Sequence, residues 1–167
     1  MPTVLQTHQP SPAPLPATFR MGETNLTDSD LDRSVAFFRD LLGLELLFVR
    51  EIKDDYFGRI VGLPGCVVKA ALLRIPGSAH YLELLEYLQP RGAESRPRPC
   101  DPGSAHLALS VDDVPALYQR LRPKGIAFVG EPVYIEAGPN RGGYAVYLRD
   151  PNGILIEFLQ LPGPAPA

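Results

Sequence analysis

The sequence predicts an α+β fold built from two copies of one unit, each a strand, a capped helix and three more strands, and three observations carry that reading. Landmarks repeat: Glu23 stands seven residues before Asp30 and His106 seven before Asp113, so one offset of 83 superimposes both pairs. The stretches Tyr81-Leu82-Glu83-Leu84-Leu85 and Leu155-Ile156-Glu157-Phe158-Leu159 match with the glutamate in the same place, at a shorter offset of 74. Each half also holds one segment of helical period with its own start and stop signals.

The first unit is expected over residues 18–89. Phe19 to Thr27 alternates weakly and reads as a strand with Glu23, Asn25 and Thr27 on one side. Ser29 with Asp32 three residues on reads as a capping box, Leu31, Val35, Phe38 and Leu42 form the apolar stripe that follows, and Gly43 closes the helix. Strands follow at Glu45–Glu51 and Cys66–Ile75, with an irregular or short helical excursion over Asp54–Gly62 between them. After the Pro76-Gly77 turn a fourth strand, His80–Leu88, carries Glu83 and, on its other face, Glu86, which is expected at the surface or in a dimer contact.

Residues 90–103, with Pro90, Pro97, Pro99 and Pro102, read as a polar linker. The second unit is expected over residues 104–161. In Ala105–Val111, Leu107, Leu109 and Val111 face a core while His106, Ala108 and Ser110 face the other way. Asp112 or Asp113 caps a helix with the stripe Val114, Leu117, Tyr118 and Leu121, and strands at Ala127–Val129, Tyr134–Glu136, Tyr144–Leu148 and Ile154–Gln160 complete the unit. The last strand starts from Asp150-Pro151-Asn152-Gly153, where Pro in the second position and Gly in the fourth suit a type I turn.

Composition narrows the partners. Asp and Glu number 19 against 16 Lys and Arg, and a net charge of −3 argues against a nucleic-acid footprint, which needs a basic patch to neutralise phosphates. No run approaches the roughly 18 apolar residues of a membrane span. Cys66 and Cys100 lack metal-site spacing and no secretory signal is evident, so two reduced thiols and a cytoplasmic location are expected. Residues 1–17, with five prolines, and residues 162–167 read as a disordered arm and tail. A small molecule is the expected partner.

Glu157 directs the search for a site. It lies in a strand apolar on both faces, where an ionised carboxylate costs several kcal/mol unless a cation or donors compensate it. If the halves pack about a pseudo-twofold axis, Glu23, Glu83, His106 and Glu157 converge on that axis. Carboxylates about 4 Å apart repel by several kcal/mol even at an effective dielectric near 20, and a divalent metal removes that repulsion. Carboxylate oxygens with an imidazole suit Zn, Ni, Co, Mn or Fe, one ion per site, with an open position for a substrate oxygen. Arg141, within Pro139-Asn140-Arg141-Gly142-Gly143, is either a clamp for an anionic substrate or the tip of a surface hairpin. Tyr56 and Tyr147 are candidates for substrate contact, with packing as the competing role, as it is for Phe57 and Tyr144.

Taken together these stretches resemble the vicinal oxygen chelate superfamily, which includes glyoxalase I, methylmalonyl-CoA epimerase, extradiol dioxygenases and bleomycin-resistance proteins. The resemblance rests on Ser29 to Leu44, Leu82 to Tyr87, His106 to Val111, and Tyr147 to Glu157, and it spans about residues 19–161. It implies paired βαβββ modules forming an open, barrel-like cleft with one metal per site, and chemistry in which the metal binds neighbouring oxygens of the substrate. It places Glu83, His106 and Glu157 at ligand positions. Glu23 falls where those relatives have His or Gln, so three ionised glutamates and a neutral His106 leave a net −1 around a divalent ion. Glu23 is then protonated, a base beside the metal, or the partner of a cation such as Arg20 or Arg141.

Two more departures bear on function. Asp28 stands where those relatives, and the second half at Val111, carry an apolar residue, which puts the packing of the first strand in question. Lys69 sits about where the epimerase has its second catalytic glutamate, so methylmalonyl-CoA is disfavoured. Extradiol dioxygenation fits poorly, because it needs two histidines and a carboxylate, and His8 lies in the arm while His80 is on the opposite face of the strand from Glu83.

The expected function is a metal-dependent, glyoxalase-like lyase, isomerase or epimerase acting on a small substrate with vicinal oxygens. The metal serves as a Lewis acid that stabilises an enediolate while Glu157 or Glu23 moves the proton. The alternative is a non-catalytic protein that sequesters an apolar or cationic small molecule of antibiotic type. The linker, roughly 15 residues, lets the modules pair within one chain or across a homodimer, which is the expected assembly.

Overall fold

The computed structural model describes residues 21–163, and these form an α+β structure of two open sheets. The expected arm over residues 1–17, with His8, lies outside the described residues, as do Phe19, Arg20 and residues 164–167. In the first sheet β1 (Glu23–Asp28), β2 (Glu45–Ile52), β3 (Val67–Arg74) and β4 (Tyr81–Gln89) run in the order β1-β4-β3-β2. The second comprises β5 (His106–Ser110), β6 (Ala127–Phe128), β7 (Val133–Tyr134), β8 (Tyr144–Arg149) and β9 (Leu155–Gln160), in the order β5-β9-β8-β6 with β7 also on β8. In each sheet the first strand pairs in parallel with the last, and the other pairs are antiparallel. The outer strand of the second sheet is split in two around Gly130 and Pro132, because a prolyl nitrogen cannot donate to the ladder.

A helix covers the crossover in each unit: α1 (Leu31–Ala36), which widens into a π-helical turn over Phe37–Leu41, and α3 (Val114–Leu121). Asp30, rather than the expected Ser29–Asp32 box, caps α1, its Oδ1 accepting from the Arg33 amide at 3.0 Å. Ser29 is engaged elsewhere, donating from its amide and hydroxyl to Asn152. Of the two candidates for α3, Asp113 is the cap, accepting from the Ala116 amide at 2.8 Å. The wide turn lets the adjacent rings of Phe37 and Phe38 share the core, edge to face at 5.1 Å. The excursion after β2 resolves as a third helix, α2 (Asp55–Val61), ended by Gly62 in the left-handed region.

Glu86 corrects the expectation of a surface or dimer position. It is buried, and its Oε2 accepts from the first amide of α1, Leu31, at 3.2 Å. Gln160, its counterpart at the end of β9, accepts from the first amide of α3, Val114, at 3.0 Å. The last strand of each unit thus supplies a second cap to that unit's helix.

One apolar core joins the units. Leu31, Val35, Phe37 and Phe38 from the α1 segment and Val114, Tyr118 and Leu121 from α3 pack with Leu73, Leu82 and Leu84 of the first sheet and Val146, Leu148, Ile156 and Phe158 of the second. A smaller cluster, Ile52, Cys66, Val68, Ala70 and Leu85, lies under Phe57 and Val61 on the opposite face of the first sheet. Cys66 and Cys100 are free thiols, the first buried and the second exposed.

A polar clasp fixes the seam. Asn152, in the turn before β9, donates through Nδ2 to Asp28 Oδ1 and to Ser34 Oγ, while its own Oδ1 accepts from Ser29 and Arg33. Asp28, the unexpected acid of β1, is thereby the first unit's anchor for the turn of the second. Its Oδ2 and that of Asp150 are buried without a hydrogen-bond partner. Burial, partly offset by the Ser34 hydrogen bond and reinforced by the Asp150 charge, pushes the Asp28 carboxyl up from 3.8 to about 7.

The unfolded Asp28 loses its proton first as pH rises, so between 3.8 and about 7 the folded state binds more protons and stability falls with rising pH. Unfolding free energies from urea titrations at about pH 5 and about pH 8 should differ by on the order of 2 kcal/mol, the larger at pH 5, and Asp28→Asn should remove most of that difference. An unchanged slope in the variant would contradict the assignment. Phe38→Ala should cost about 3–5 kcal/mol and, because the core is shared, both units should still unfold in one transition; two separable transitions would disprove a common core.

Candidate functional site

Each sheet has one face against the common core and one turned away from it, and the alternation of the strands decides which side chains reach the second. Leu82 and Leu84 lie in the core, so Glu83 between them faces away; Ile156 and Phe158 do the same for Glu157. In the first sheet Glu23 is in register with Tyr81 and Asn25 with Glu83; in the second His106 is in register with Leu155 and Ala108 with Glu157. The glutamate therefore lies two residues beyond the partner of the first-strand donor in both units.

In the second sheet these side chains touch. His106 Nε2 is 3.2 Å from Glu157 Oε2, and the Tyr147 hydroxyl, from β8, is 3.3 Å from each of them. The His106 and Tyr147 rings meet edge to face at 5.2 Å. His106 is 43% exposed and Glu157 16%, so the group is open to solvent on the imidazole side. Burial, with the Glu157 charge beside it, holds the Tyr147 phenol above its ordinary pKa. The partner that Glu157 requires is thus an imidazole and a phenol from the two neighbouring strands.

In the first sheet the pair is acidic. Burial, and then the charge of Glu23, hold the Glu83 carboxyl above the ordinary carboxylate range, with the Arg50 guanidinium acting the other way. Arg50 lies on the same face of the sheet, its guanidinium 5.8 Å from the centre of the Phe48 ring, and Phe48 shares a row with Leu72 and Glu83. Nothing in the sequence pattern marks Arg50 beyond its place in an alternating strand.

The expected meeting of all four donors does not occur within one chain: among the described residues no three His, Cys, Asp or Glu side chains group closely enough to hold an ion. The reason is the common core, which takes the helix-bearing faces of both sheets and leaves the two donor pairs on faces turned away from it. Arg141 and Tyr56 are exposed, and among the described residues no hydrogen bond or ion pair joins either to these groups. His80 is held by Thr24, Nε2 to Oγ1 at 2.8 Å. A cavity of about 970 Å³ opens on the core side of β5, between Leu42, Ile75, Leu109 and Leu117, and holds none of the paired donors.

The duplicated sheets, with acidic and imidazole side chains paired on the faces away from the helices, define a glyoxalase-type α+β fold. The chain belongs to the glyoxalase/bleomycin resistance protein/dioxygenase superfamily, whose family model matches residues 20–158. It is 34% identical over 156 residues to 2-epi-5-epi-valiolone epimerase from Actinomyces sp., covering 91% of this chain and 85% of that protein. It is 32% identical over 146 residues to lactoylglutathione lyase from Salmonella typhimurium, covering 84% of this chain and 92% of that one. The crystal structure of a glyoxalase family protein from Bacillus cereus matches with a TM-score of 0.77 and 25% identity, over 90% of this chain and all of that one. No helix among the described residues is long and apolar enough to cross a membrane.

The donor set fits a divalent ion in kind. An imidazole nitrogen and carboxylate oxygens are the ligands that Zn, Ni, Co, Mn and Fe accept, and His106 Nε2 and Glu157 Oε2 already aim at common ground.

Proposed function

We propose that this protein is a metal-dependent enzyme that moves a proton next to a carbonyl in a small substrate with vicinal oxygens, in an isomerisation or epimerisation. The observation that carries the reading is the repeated register, which sets Glu23 with Glu83 and His106 with Glu157 on equivalent faces of the two sheets. The likeness to an epimerase and to a lactoylglutathione lyase supports the same class of reaction.

Each chain offers two half-sites, and a homodimer that sets the second sheet of one copy against the first sheet of the other brings four donors together. In that assembly Glu83, His106 and Glu157 hold the ion. The bound ion supplies Lewis acidity to neighbouring substrate oxygens. Glu23 has no side-chain partner among the described residues and stands beside Glu83 at the edge of β1, so it is the group free to take a proton from the substrate carbon and return it. Tyr147, Arg50 and the α2 residue Tyr56 lie on the elements that border this space and contact the substrate.

Metal analysis tests the reading first. Protein purified without chelator, or titrated with Ni²⁺, Co²⁺, Mn²⁺ and Zn²⁺, should hold a divalent ion that His106→Ala loses. Uptake of none of these ions would remove the proposal, and ligand-induced thermal stabilisation that survives EDTA would instead favour a sequestering protein. Glu23→Gln should keep the ion yet slow solvent-deuterium incorporation into a responsive hydroxy ketone by about 10²–10⁴-fold. Loss of the ion in that variant would make Glu23 a ligand rather than the base.

A further inference from the structure

The second sheet carries a third donor that its counterpart lacks. β5, β9 and β8 are neighbours, and each contributes one side chain to the same face: His106, Glu157 and Tyr147. Their polar atoms form a nearly equilateral triangle with sides of 3.2, 3.3 and 3.3 Å. Optimal hydrogen bonds are shorter, roughly 2.7–2.8 Å for a hydroxyl and roughly 2.9–3.0 Å for a ring N–H. Ligands roughly 2.0–2.1 Å from an ion in a tetrahedral shell lie about 3.3–3.4 Å from one another. The triangle therefore has the size of one face of a coordination shell.

Building on the metal-centre reading above, we propose that Tyr147 is a metal ligand, completing with His106 and Glu157 a three-donor face contributed by a single unit of one chain. The first unit serves as an internal control. Tyr147 is in register with Glu157, and the residue in register with Glu83 is Leu72, so the equivalent position there has no polar atom. A phenol placed only to pack would not need its oxygen equidistant from both other donors. A bound cation reverses the local preference of the phenol, since the ion's field lowers the pKa of a ligating oxygen and the proton leaves to the solvent that reaches the imidazole side. The face would leave the remaining positions to Glu83 of the second copy and to substrate oxygens. The donor set, an imidazole, a carboxylate and a phenolate, suits a hard or borderline ion such as iron or zinc.

The probe is iron. The full-length protein is stripped with chelator, loaded with ferrous iron under anaerobic conditions and oxidised in place, because a phenolate bound to ferric iron gives a visible charge-transfer band that a carboxylate or imidazole does not. The wild-type protein should show the band, and Tyr147→Phe and Tyr147→Leu, the latter copying Leu72, should lose it while keeping their urea midpoints. Iron-loaded wild type without a visible band, or a band that persists in Tyr147→Phe, overturns the assignment. In either case Co²⁺ uptake that depends on His106 would show that the metal-centre reading itself still stands; no uptake of cobalt or iron by the wild type would end both.

Discussion

Parallel pairing of the first and last strands within each unit is the constraint on which the rest of the structure depends. A parallel pair cannot be closed by a short turn, so each unit needs a crossover, and α1 and α3 fill that role. Once the helix is placed over one face, alternation along the last strand decides everything that faces outward. Leu82 and Leu84, or Ile156 and Phe158, go under the helix, and the glutamate between them goes to the other side. The same pairing brings Glu86 and Gln160 to the helix N-termini, where they accept from amides that the helix cannot satisfy. Cap, core and donor are thus set by one register, and a slip of one residue would exchange all three.

The seam between units obeys a different logic. Apolar packing alone holds α1 and α3 together without choosing among nearby arrangements, whereas the Asp28–Asn152–Ser34 cluster has one geometry in which its hydrogen bonds are made. That selectivity costs stability, because Asp28 and Asp150 each bury an oxygen with no partner. The clasp has no equivalent in the second unit, where Val111 stands in place of Asp28, so the sequence repeat is broken where the two copies must grip one another.

Much of this was legible in the sequence because it rests on periodicity. The stripes of α1 and α3, the strands at Cys66–Ile75 and Tyr144–Leu148, and the equivalent positions of Glu23 and His106 and of Glu83 and Glu157 follow from spacings of 3.6 and 2 and from the repeat itself. What was not legible depends on partners distant in the chain. Ser29 has the composition of a helix cap, yet Asn152, 123 residues away, takes both its donors and leaves the cap to Asp30. Glu86 reads as a surface acid until the α1 terminus is set on top of it. Among the described residues the four donors do not meet within one chain, because the helix-bearing faces of both sheets share one apolar core, and nothing in the repeat tells which faces of the two units, or of two copies, meet.

That choice of packing faces gives the two donor pairs different electrostatic characters. His106, Tyr147 and Glu157 lie 3.2–3.3 Å from one another, so the second sheet presents one carboxylate flanked by an imidazole and a phenol. Glu23 and Glu83 repel, and the first sheet relieves the repulsion only in part, through Arg50 leaning back over Phe48. A divalent cation is attracted to the acidic face at long range but finds a shaped set of donors only on the other, so neither face alone combines charge with geometry. In the proposed dimer the ion joins them: three carboxylates and the Tyr147 phenolate against a charge of +2 leave an excess of two negative charges, and Arg50 lies on the face that carries Glu83. The arginine that no motif marks and Glu23 then act on one carboxylate, Glu83, in opposite directions: the charge of Glu23 raises its pKa and the Arg50 guanidinium lowers it.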